Sequence, residues 1–399
     1  MRVLVGCLLI AAVSSAQGPS LQSVQSSSPT LLLGSGRIAF DRNMIFPTSR
    51  KDAPTPTNIF VANVSVTVGE LQLTRDDRSE CPVWSPDGKK IAYLHFKKRE
   101  GGKRRASAEA ATEVVLMGAD GVDRQELAAV QFGREPTLAW SPDDKTLAVG
   151  GVFPGSPVDG RGYVESAIYL IDTASRKSPE LLVERGFSPS WSPDGSQVAY
   201  TCSTELRPGE SKVSLCVVPA IGHSAPRVVA ENAWNPIWSP SGENIAYLSG
   251  TRGRGQLLIC HPDGSGTIPI TQNDRNALSS YAWSPDGSRI AYTENQPMED
   301  EVIRSGPLHT MDVTRIFVKG LNGTKIGPLG EQDRLWCHDL SWSPDGKFLA
   351  AICTRGLRDR KTHKQIFEAS LFLLDSVNSS VPPRLIVEKG VERAVFSPR

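Results

Sequence analysis

The sequence predicts an all-β, seven-bladed β-propeller on three observations. A Trp-Ser-Pro unit recurs along the chain, each unit leads into strands of alternating polarity, and the two ends carry complementary parts of one further unit. The units read Val83-Trp84-Ser85-Pro86-Asp87-Gly88, Ala139-Trp140-Ser141-Pro142-Asp143-Asp144 and Ser190-Trp191-Ser192-Pro193-Asp194-Gly195. Next come Ile237-Trp238-Ser239-Pro240-Ser241-Gly242, Ala282-Trp283-Ser284-Pro285-Asp286-Gly287 and Ser341-Trp342-Ser343-Pro344-Asp345-Gly346, with a partial Val395-Phe396-Ser397-Pro398 at the end. Trp-to-Trp spacings are 56, 51, 47, 45 and 59, with 54 more to Phe396. Blades of roughly 40–50 residues cover the shorter spacings, and insertions account for the longer ones. The 399 residues taken alone would suggest two or three domains; the repeat reduces them to one ring.

Each unit has a mechanical reading. The aromatic residue ends a first strand. Pro sets φ, Asp caps locally and Gly tolerates positive φ, so the next residues turn tightly. An alternating second strand follows, as in Lys90-Ile91-Ala92-Tyr93-Leu94 or Arg289-Ile290-Ala291-Tyr292-Thr293. A third strand, such as Ala167 to Ile171 or Ser370 to Leu374, ends in a turn like Gly118-Ala119-Asp120-Gly121. A short fourth strand closes the unit: Glu180 to Val183, Arg227 to Ala230, Arg384 to Val387. The C-terminus has only a first strand, ending at Phe396. The N-terminus has the other three, at Arg37 to Phe40, Ile59 to Ala62 and Glu70 to Thr74. Pairing them makes a seventh blade and leaves no free sheet edge at the seam.

Composition narrows the function classes. A net charge of +1 supplies no bulk field for nucleic acid or acidic lipid, so any partner is held by local patches. Arg2, the apolar run Val3 to Val13 and the small residues Ser14-Ser15-Ala16 read as a signal peptide over residues 1–16, cleaved before Gln17. Leu4-Val5-Gly6-Cys7 looks like a lipoprotein box, but Cys7 precedes most of the apolar run, which favours plain cleavage. A Ser/Gln-rich leader spans 17–33 and the propeller 34–399. No later segment is apolar enough to span a bilayer, so the expectation is a soluble, monomeric, periplasmic or secreted protein.

The Trp-Ser-Pro-Asp-Gly repeats resemble the PD40 (WD40-like) propeller family, which includes the TolB propeller of the Tol envelope system. The resemblance spans about residues 34 to 399 and implies the propeller fold, which hosts many activities. TolB resembles a six-bladed propeller preceded by an α/β domain. This sequence carries seven units behind a short leader.

Strand direction sorts the loops. In a four-stranded meander, first-to-second and third-to-fourth turns share one face, and second-to-third loops share the other with the blade-to-blade crossings. The long insertions fall on the second face: Phe96 to Thr112, Val152 to Ser166, Glu294 to Thr314 and Thr354 to Glu368. Variable loops on a rigid scaffold more often carry function. Innermost strands begin at the channel mouth on this face, which places Glu80, Glu135, Trp234, Asn235, Tyr281, Trp336, His338, Asp339, Glu392 and Arg393 there as candidate binding residues. Aromatics among convergent polar groups suit recognition of a protein or a glycan. The bland reading is that they satisfy one another and channel water. Lys97-Lys98-Arg99 with Lys103-Arg104-Arg105 is read as a solvated basic insertion, and Glu299-Asp300-Glu301 as its acidic counterpart.

Six cysteines follow the signal. Cys202 with Cys216, and Cys337 with Cys353, lie on adjacent strands of one blade and can bridge; six buried thiols fit nearly as well. Cys81 and Cys260 belong to distant blades and are expected reduced. No Cys-x-x-Cys or Gly-x-Ser-x-Gly motif occurs, which argues against structural zinc and against a serine hydrolase. The expectation is therefore a non-catalytic scaffold without cofactor or metal, binding an envelope protein or glycan and no nucleic acid. The alternative is a metal-dependent polysaccharide lyase resembling oligogalacturonate lyase, a likeness that implies metal ligands among His309, His338 and His363. The sequons at Asn63, Asn322 and Asn378 matter only in a glycosylating host. Deleting Ala394 to Arg399 is expected to open the ring and lower the melting temperature; an unchanged melting temperature would refute closure by the C-terminal strand.

Overall fold

The computed structural model describes residues 36–43, 57–64, 69–97, 112–130, 137–151, 166–175, 177–207, 210–221, 224–251, 254–271, 280–296, 313–330, 335–358, 365–388 and 390–398. All belong to the compact unit Leu33–Arg399. The predicted signal peptide and the whole leader 17–33, Glu135, His309, His363, the basic stretch 98–105 and the acidic stretch 299–301 lie outside these residues. Among the described residues every regular element is a strand, and no helix is long and apolar enough to cross a membrane.

Three strands come first: β1 (Arg37–Asn43), β2 (Thr57–Asn63) and β3 (Gly69–Gln72). Blade one is β4 (Ser79–Trp84), β5 (Lys90–Phe96), β6 (Thr112–Gly118) and β7 (Gln125–Val130). Blade two is β8 (Thr137–Trp140), β9 (Thr146–Gly151), β10 (Ala167–Asp172) and β11 (Glu180–Val183). Blade three is β12 (Gly186–Trp191), β13 (Gln197–Arg207), β14 (Glu210–Pro219) and β15 (Arg227–Glu231). Blade four is β16 (Ala233–Trp238), β17 (Ile245–Thr251), β18 (Arg254–Cys260) and β19 (Ile268–Pro269). Blade five is β20 (Tyr281–Trp283), β21 (Arg289–Gln296), β22 (Val313–Gly320) and β23 (Lys325–Ile326). Blade six is β24 (Leu335–Trp342), β25 (Phe348–Arg358), β26 (Gln365–Asp375) and β27 (Arg384–Val387), and β28 (Val391–Phe396) ends the chain. Each blade is an antiparallel meander, and the seventh sheet has the order β28-β1-β2-β3. The C-terminal strand pairs with the first N-terminal one through Ile38↔Phe396, Ala39↔Val395 and Phe40↔Ala394.

The core shows the same closure. Seven apolar clusters form, and each lies between two neighbouring blades, including blades six and seven and blades seven and one. The period-2 alternation of the second strands accounts for this: on β5, Ile91 and Tyr93 pack toward blade seven, whereas Ala92 and Leu94 pack toward blade two. A blade is thus buried on both faces, and the ring is its shared core.

The repeated turn is a small hydrogen-bonded box. In blade one, Gly88 N donates to Ser85 O at 2.8 Å, the Ser85 hydroxyl donates to Asp87 Oδ1 at 2.7 Å, and Lys90 N returns to Ser85 Oγ at 2.9 Å. Ser141–Asp143, Ser192–Asp194, Ser284–Asp286 and Ser343–Asp345 repeat it. The serine bond holds the carboxyls of Asp143, Asp194 and Asp286 below the usual range. In blade four Ser241 replaces the aspartate and pairs with Ser239.

The tryptophan that precedes the box links blade to blade. Its indole Nε1 donates to the carbonyl just before the aromatic residue of the previous blade: Trp84 to Val395, Trp140 to Val83, Trp191 to Ala139, Trp283 to Ile237 and Trp342 to Ala282, at 3.0–3.3 Å. Trp238 departs from this. Its Nε1 has no partner among the described residues, while its backbone N donates to Ser190 Oγ at 3.1 Å. Phe396 has no indole N–H, and its backbone N donates to Ser341 Oγ at 2.9 Å. In both exceptions a serine precedes the aromatic residue of the previous blade. At two interfaces an arginine adds to the link: Arg37 and Arg289 each donate to the box glycine carbonyl of the next blade and lie 4.9 and 4.8 Å from its Trp ring centroid.

Two insertions are shorter than expected. Thr354 to Glu368 is partly ladder, because β25 and β26 stay paired out to Arg358↔Gln365, and Glu294 to Thr314 is partly ladder out to Gln296↔Val313. Each added antiparallel rung satisfies further backbone groups, so pairing continues while both chains remain extended.

Replacing Trp by Phe removes ring volume at every repeat, but breaks a hydrogen bond only where Nε1 donates. Trp140→Phe and Trp342→Phe are expected to cost about 1 kcal/mol more than Trp238→Phe in chemical denaturation. Equal losses at the three positions would show that the indole bonds contribute nothing.

Candidate functional site

The innermost strands are bent at the channel mouth. Cys81, Ser188, Asn235 and Asp339 all adopt positive φ, at 57°, 53°, 51° and 50°. At each the pairing with the second strand shifts register, between Glu80 and Val83, Phe187 and Ser190, Trp234 and Ile237, and His338 and Ser341. These are β-bulges, which bend a strand and re-aim its side chains. Pro82, Pro189 and Pro236 directly follow three of the strained residues. Proline has no N–H for the interrupted ladder to orphan.

Three of the four bulges meet one repeat position of the preceding blade, the residue after the Ile-Ala-Tyr core of its second strand, and the blade-six bulge is met by Ser280. Thr201 Oγ1 accepts Asn235 N at 2.9 Å. Asp41 Oδ2 accepts Cys81 N at 2.8 Å. In blade five Thr293 Oγ1 accepts Ser280 N at 3.0 Å, and Ser280 Oγ in turn accepts Leu340 N at 3.0 Å. Before blade three the position is Gly150, where an added Cβ would lie 2.7 Å from Thr137 Oγ1 and 3.5 Å from Phe187 Cα. Glycine there lets the bulge approach.

The predicted mouth residues separate into two groups. On blades three to five, the buried Tyr281 donates its hydroxyl to Asn235 O, and Ser188 Oγ donates to Asn235 Oδ1 at 3.0 Å. Burial raises the Tyr281 phenol far above its ordinary value. Tyr281 is therefore a strut between blades, and it holds the exposed Asn235 in place. Half-buried Trp234 packs on the core between blades four and five.

The second group gathers at the seam of blades six, seven and one. Glu80 on β4 accepts the Thr57 hydroxyl at 3.1 Å. Burial raises its carboxyl, and the neighbouring Glu392 adds to the rise. Arg393 exerts its field on Glu80, Cys81 and Asp41 together. Glu392 is exposed. His338 Nδ1 lies 3.8 Å from Asp339 Oδ1, with the two side chains 19% and 39% exposed. Of Trp336, the strand position on β24 is described and the side chain is not. Arg393 thus acts on Asp41 and Glu80 at this seam, and Glu392 and Asp339 are its more open members.

Asp41 lay outside the sequence-based candidates. It is 1% exposed, and burial pushes its carboxyl up to about 7 against the lowering influence of Arg393 and two backbone N–H groups. The signal was present: the same repeat position holds Leu94, Gly150, Thr201, Leu248, Thr293 and Ile352 in the other blades.

Among the described residues no group of three or more His, Cys, Asp or Glu side chains is disposed to hold a metal ion. A cleft of about 630 Å³ lies on the opposite, Ser-Pro-Asp-Gly face, between Leu71 of blade seven and Val122 of blade one. Its cations are already engaged, Arg37 with Gly88 O and Lys89 with Asp87, so the mouth remains the better candidate.

Disulfides join Cys202 to Cys216 and Cys337 to Cys353; Cys81 and Cys260 are free and buried. Cys337 and Cys353 are direct cross-strand partners, which ties β24 to β25 just below the Asp339 bulge. The first bridge runs diagonally, because Cys202 faces Ser214 and Cys216 faces Tyr200.

The family model described as the TolB beta propeller domain, PD40, matches residues 102–316. Among solved structures, the chain is similar to the β-propeller domain of the Trilobed protease from Pyrococcus furiosus, at 11% identity and TM-score 0.56, covering 90% of this chain and 98% of that one. That domain is described as having an open velcro topology, whereas here β28 pairs with β1. A puromycin-hydrolyzing peptidase of Mycobacterium tuberculosis matches at 15% identity and TM-score 0.57, over 87% of this chain and 54% of its own length. Oligogalacturonate lyase from Vibrio parahaemolyticus matches at 12% identity and TM-score 0.51, over 89% and 87%. At these identities the likeness is one of fold.

Thiol titration in denaturant without reductant should return Cys81 and Cys260, with Cys7 where the N-terminal segment is retained, and four more after reduction. Replacing Cys337 and Cys353 together by serine should cost about 3 kcal/mol, as expected for a cross-link closing a loop of this size.

Proposed function

The chain belongs to the TolB β-propeller (PD40) family, and from that premise we propose that it is an exported, non-catalytic scaffold that binds a protein or glycan partner at the channel mouth. The observation that carries this reading is the seam cluster, in which Glu80, Glu392, Asp339 and Arg393 converge from three blades. Charged groups of both signs, partly exposed and held on bulged strands, suit a polar ligand that fits between them. Strand direction puts the blade-to-blade crossings, and the strand ends that the long insertions join, on the same face. The predicted signal peptide over residues 1–16 supports export, and the two intrablade bridges suit an oxidising compartment.

Glu392 is exposed and Asp339 partly so, and asparagine tolerates the positive φ at 339, so changing them leaves the core intact. Glu392→Lys and Asp339→Asn are expected to weaken capture of the partner at least about tenfold, the equivalent of 1.4 kcal/mol. Binding is read against envelope extracts by cross-linking and against arrayed glycans. Leu71→Ser and Val122→Ser, in the cleft of the opposite face, should leave capture unchanged. The reverse pattern would move the site to that cleft.

A further inference from the structure

Two hairpins outrun the others on the face of the channel mouth. The second strand continues six residues past the repeat position of Thr201 and Ile352 in blades three and six, to Arg207 and Arg358. In the other blades it stops within three residues of that position, at Asn43, Phe96, Gly151, Thr251 and Gln296. Six residues of antiparallel strand make an arm of about 20 Å. Both arms are cross-linked at the root, because Cys202 and Cys353 each stand one residue past the shared position. A braced root meets part of the ordering cost of the arm on folding, before any contact is made.

The rungs of the two arms differ. Blade three carries Thr204↔Lys212, Glu205↔Ser211 and Arg207↔Glu210, a polar ribbon of balanced charge. Blade six carries Arg355↔Glu368, Gly356↔Phe367, Leu357↔Ile366 and Arg358↔Gln365. By the pleat, Leu357 and Ile366 share the strand face that packs toward blade five through Ala351 and Cys353. Phe367 shares the face that packs toward blade seven through Ala350 and Ile352. Inside the ring both faces are apolar because a blade lies on each side. The blade-five ladder ends at Gln296↔Val313 and the blade-seven ladder at Asn43↔Thr57, level with Arg355 or short of it. From Gly356 outward, blade six keeps the two-sided apolar pattern past the last described rung of either neighbour. The polar arm of blade three shows that a hairpin of this length does not require it.

A matching surface lies on the opposite face of the same chain. The cleft of about 630 Å³ between blades seven and one has Val61, Leu71, Ala119 and Val122 in its lining, and Leu71 and Val122 are each 53% exposed. The exposed Asp120 and Asp123 also line it, whereas its two cations are engaged with Gly88 O and Asp87. The arm brings Arg355 and Arg358, and the sequence between its strands adds Arg360, Lys361 and Lys364 against Asp359. Shape, polarity and charge of the two surfaces are complementary.

We infer that the blade-six arm of one copy docks in the seam cleft of a second copy, with its apolar rungs against Leu71 and Val122 and its arginines beside Asp120 and Asp123. Arm and cleft lie on opposite faces, so the contact is heterologous. Each bound pair leaves one arm and one cleft free, and further copies add unless a ring closes. The contact is small, so association belongs to high protein concentration and fades on dilution. This goes beyond the mouth reading and uses none of its residues, so the two can fail separately.

Sedimentation velocity of the whole, disulfide-intact chain tests the contact. The weight-average sedimentation coefficient should rise between about 1 and 100 μM without levelling off at a dimer. Leu357→Ser with Ile366→Ser removes the apolar rung of the arm, and Leu71→Ser with Val122→Ser removes the apolar wall of the cleft. Either pair should weaken self-association at least about tenfold. Mixed in equal amounts, the two variants should form a one-to-one complex and nothing larger, because the first keeps its cleft and the second its arm. Arg358→Glu faces Gln365, adds no like-charge pair to the ladder and should weaken association with the apolar rung in place. Should the arm pair not fold, Arg358→Glu replaces it in the mixture. A chain that stays monomeric across this range, a dimer that does not grow, or variants that fail to complement one another would overturn the inference.

Discussion

A single contact recurs around this ring: an indole N–H reaching back to the carbonyl that precedes the aromatic residue of the blade before. Five of the links are of this kind. The contact depends on the Ser-Asp box beside it, because the box fixes where the first strand ends and hence where the indole stands. It also brings the second strands of neighbouring blades together, so that each apolar cluster is filled from two blades. Blade packing, turn chemistry and ring closure are therefore one constraint expressed at successive positions of the repeat.

The exceptions show how the constraint tolerates change. Where the indole bond is missing, at Trp238 and at Phe396, a serine of the previous blade accepts a backbone N–H instead. One interblade bond replaces another at about the same place. At the seam the substitution has a further consequence. Phe396 ends a strand held to the rest of its blade by β1 alone, so the fit of β28 depends on its neighbours' side chains. Asp41, Ser341 and Trp84 each contribute one bond to it.

The bulges turn this scaffold toward chemistry. A straight first strand would point alternate residues into the two interblade cores. A residue at positive φ breaks that alternation and costs about 1–2 kcal/mol in a non-glycine side chain. The cost recurs at Cys81, Ser188, Asn235 and Asp339, and the neighbouring blade meets it with a placed acceptor or, at Gly150, with space. Strain that recurs at the channel mouth, offset from outside the strand, marks the part of the ring where side-chain direction matters most.

The sequence by itself determined the blade count, the turn chemistry, the complementary termini and the strands on which the described candidates Glu80, Trp234, Asn235, Tyr281, His338, Asp339, Glu392 and Arg393 lie. All of these follow from local periodicity and from turn residues whose backbone preferences are intrinsic. Strand direction in a meander also led to the expectation that Glu80, Glu392 and Arg393 share one end of the innermost strands. Tertiary structure decided which of them meet. Tyr281 became a buried strut once Asn235 O lay within reach of its hydroxyl, and Asp41 became the most perturbed carboxyl of the seam once blades seven and one closed over it. Periodicity assigns a residue to a face, but desolvation and interblade hydrogen bonds depend on what the next blade brings there, and that is fixed only when the ring closes.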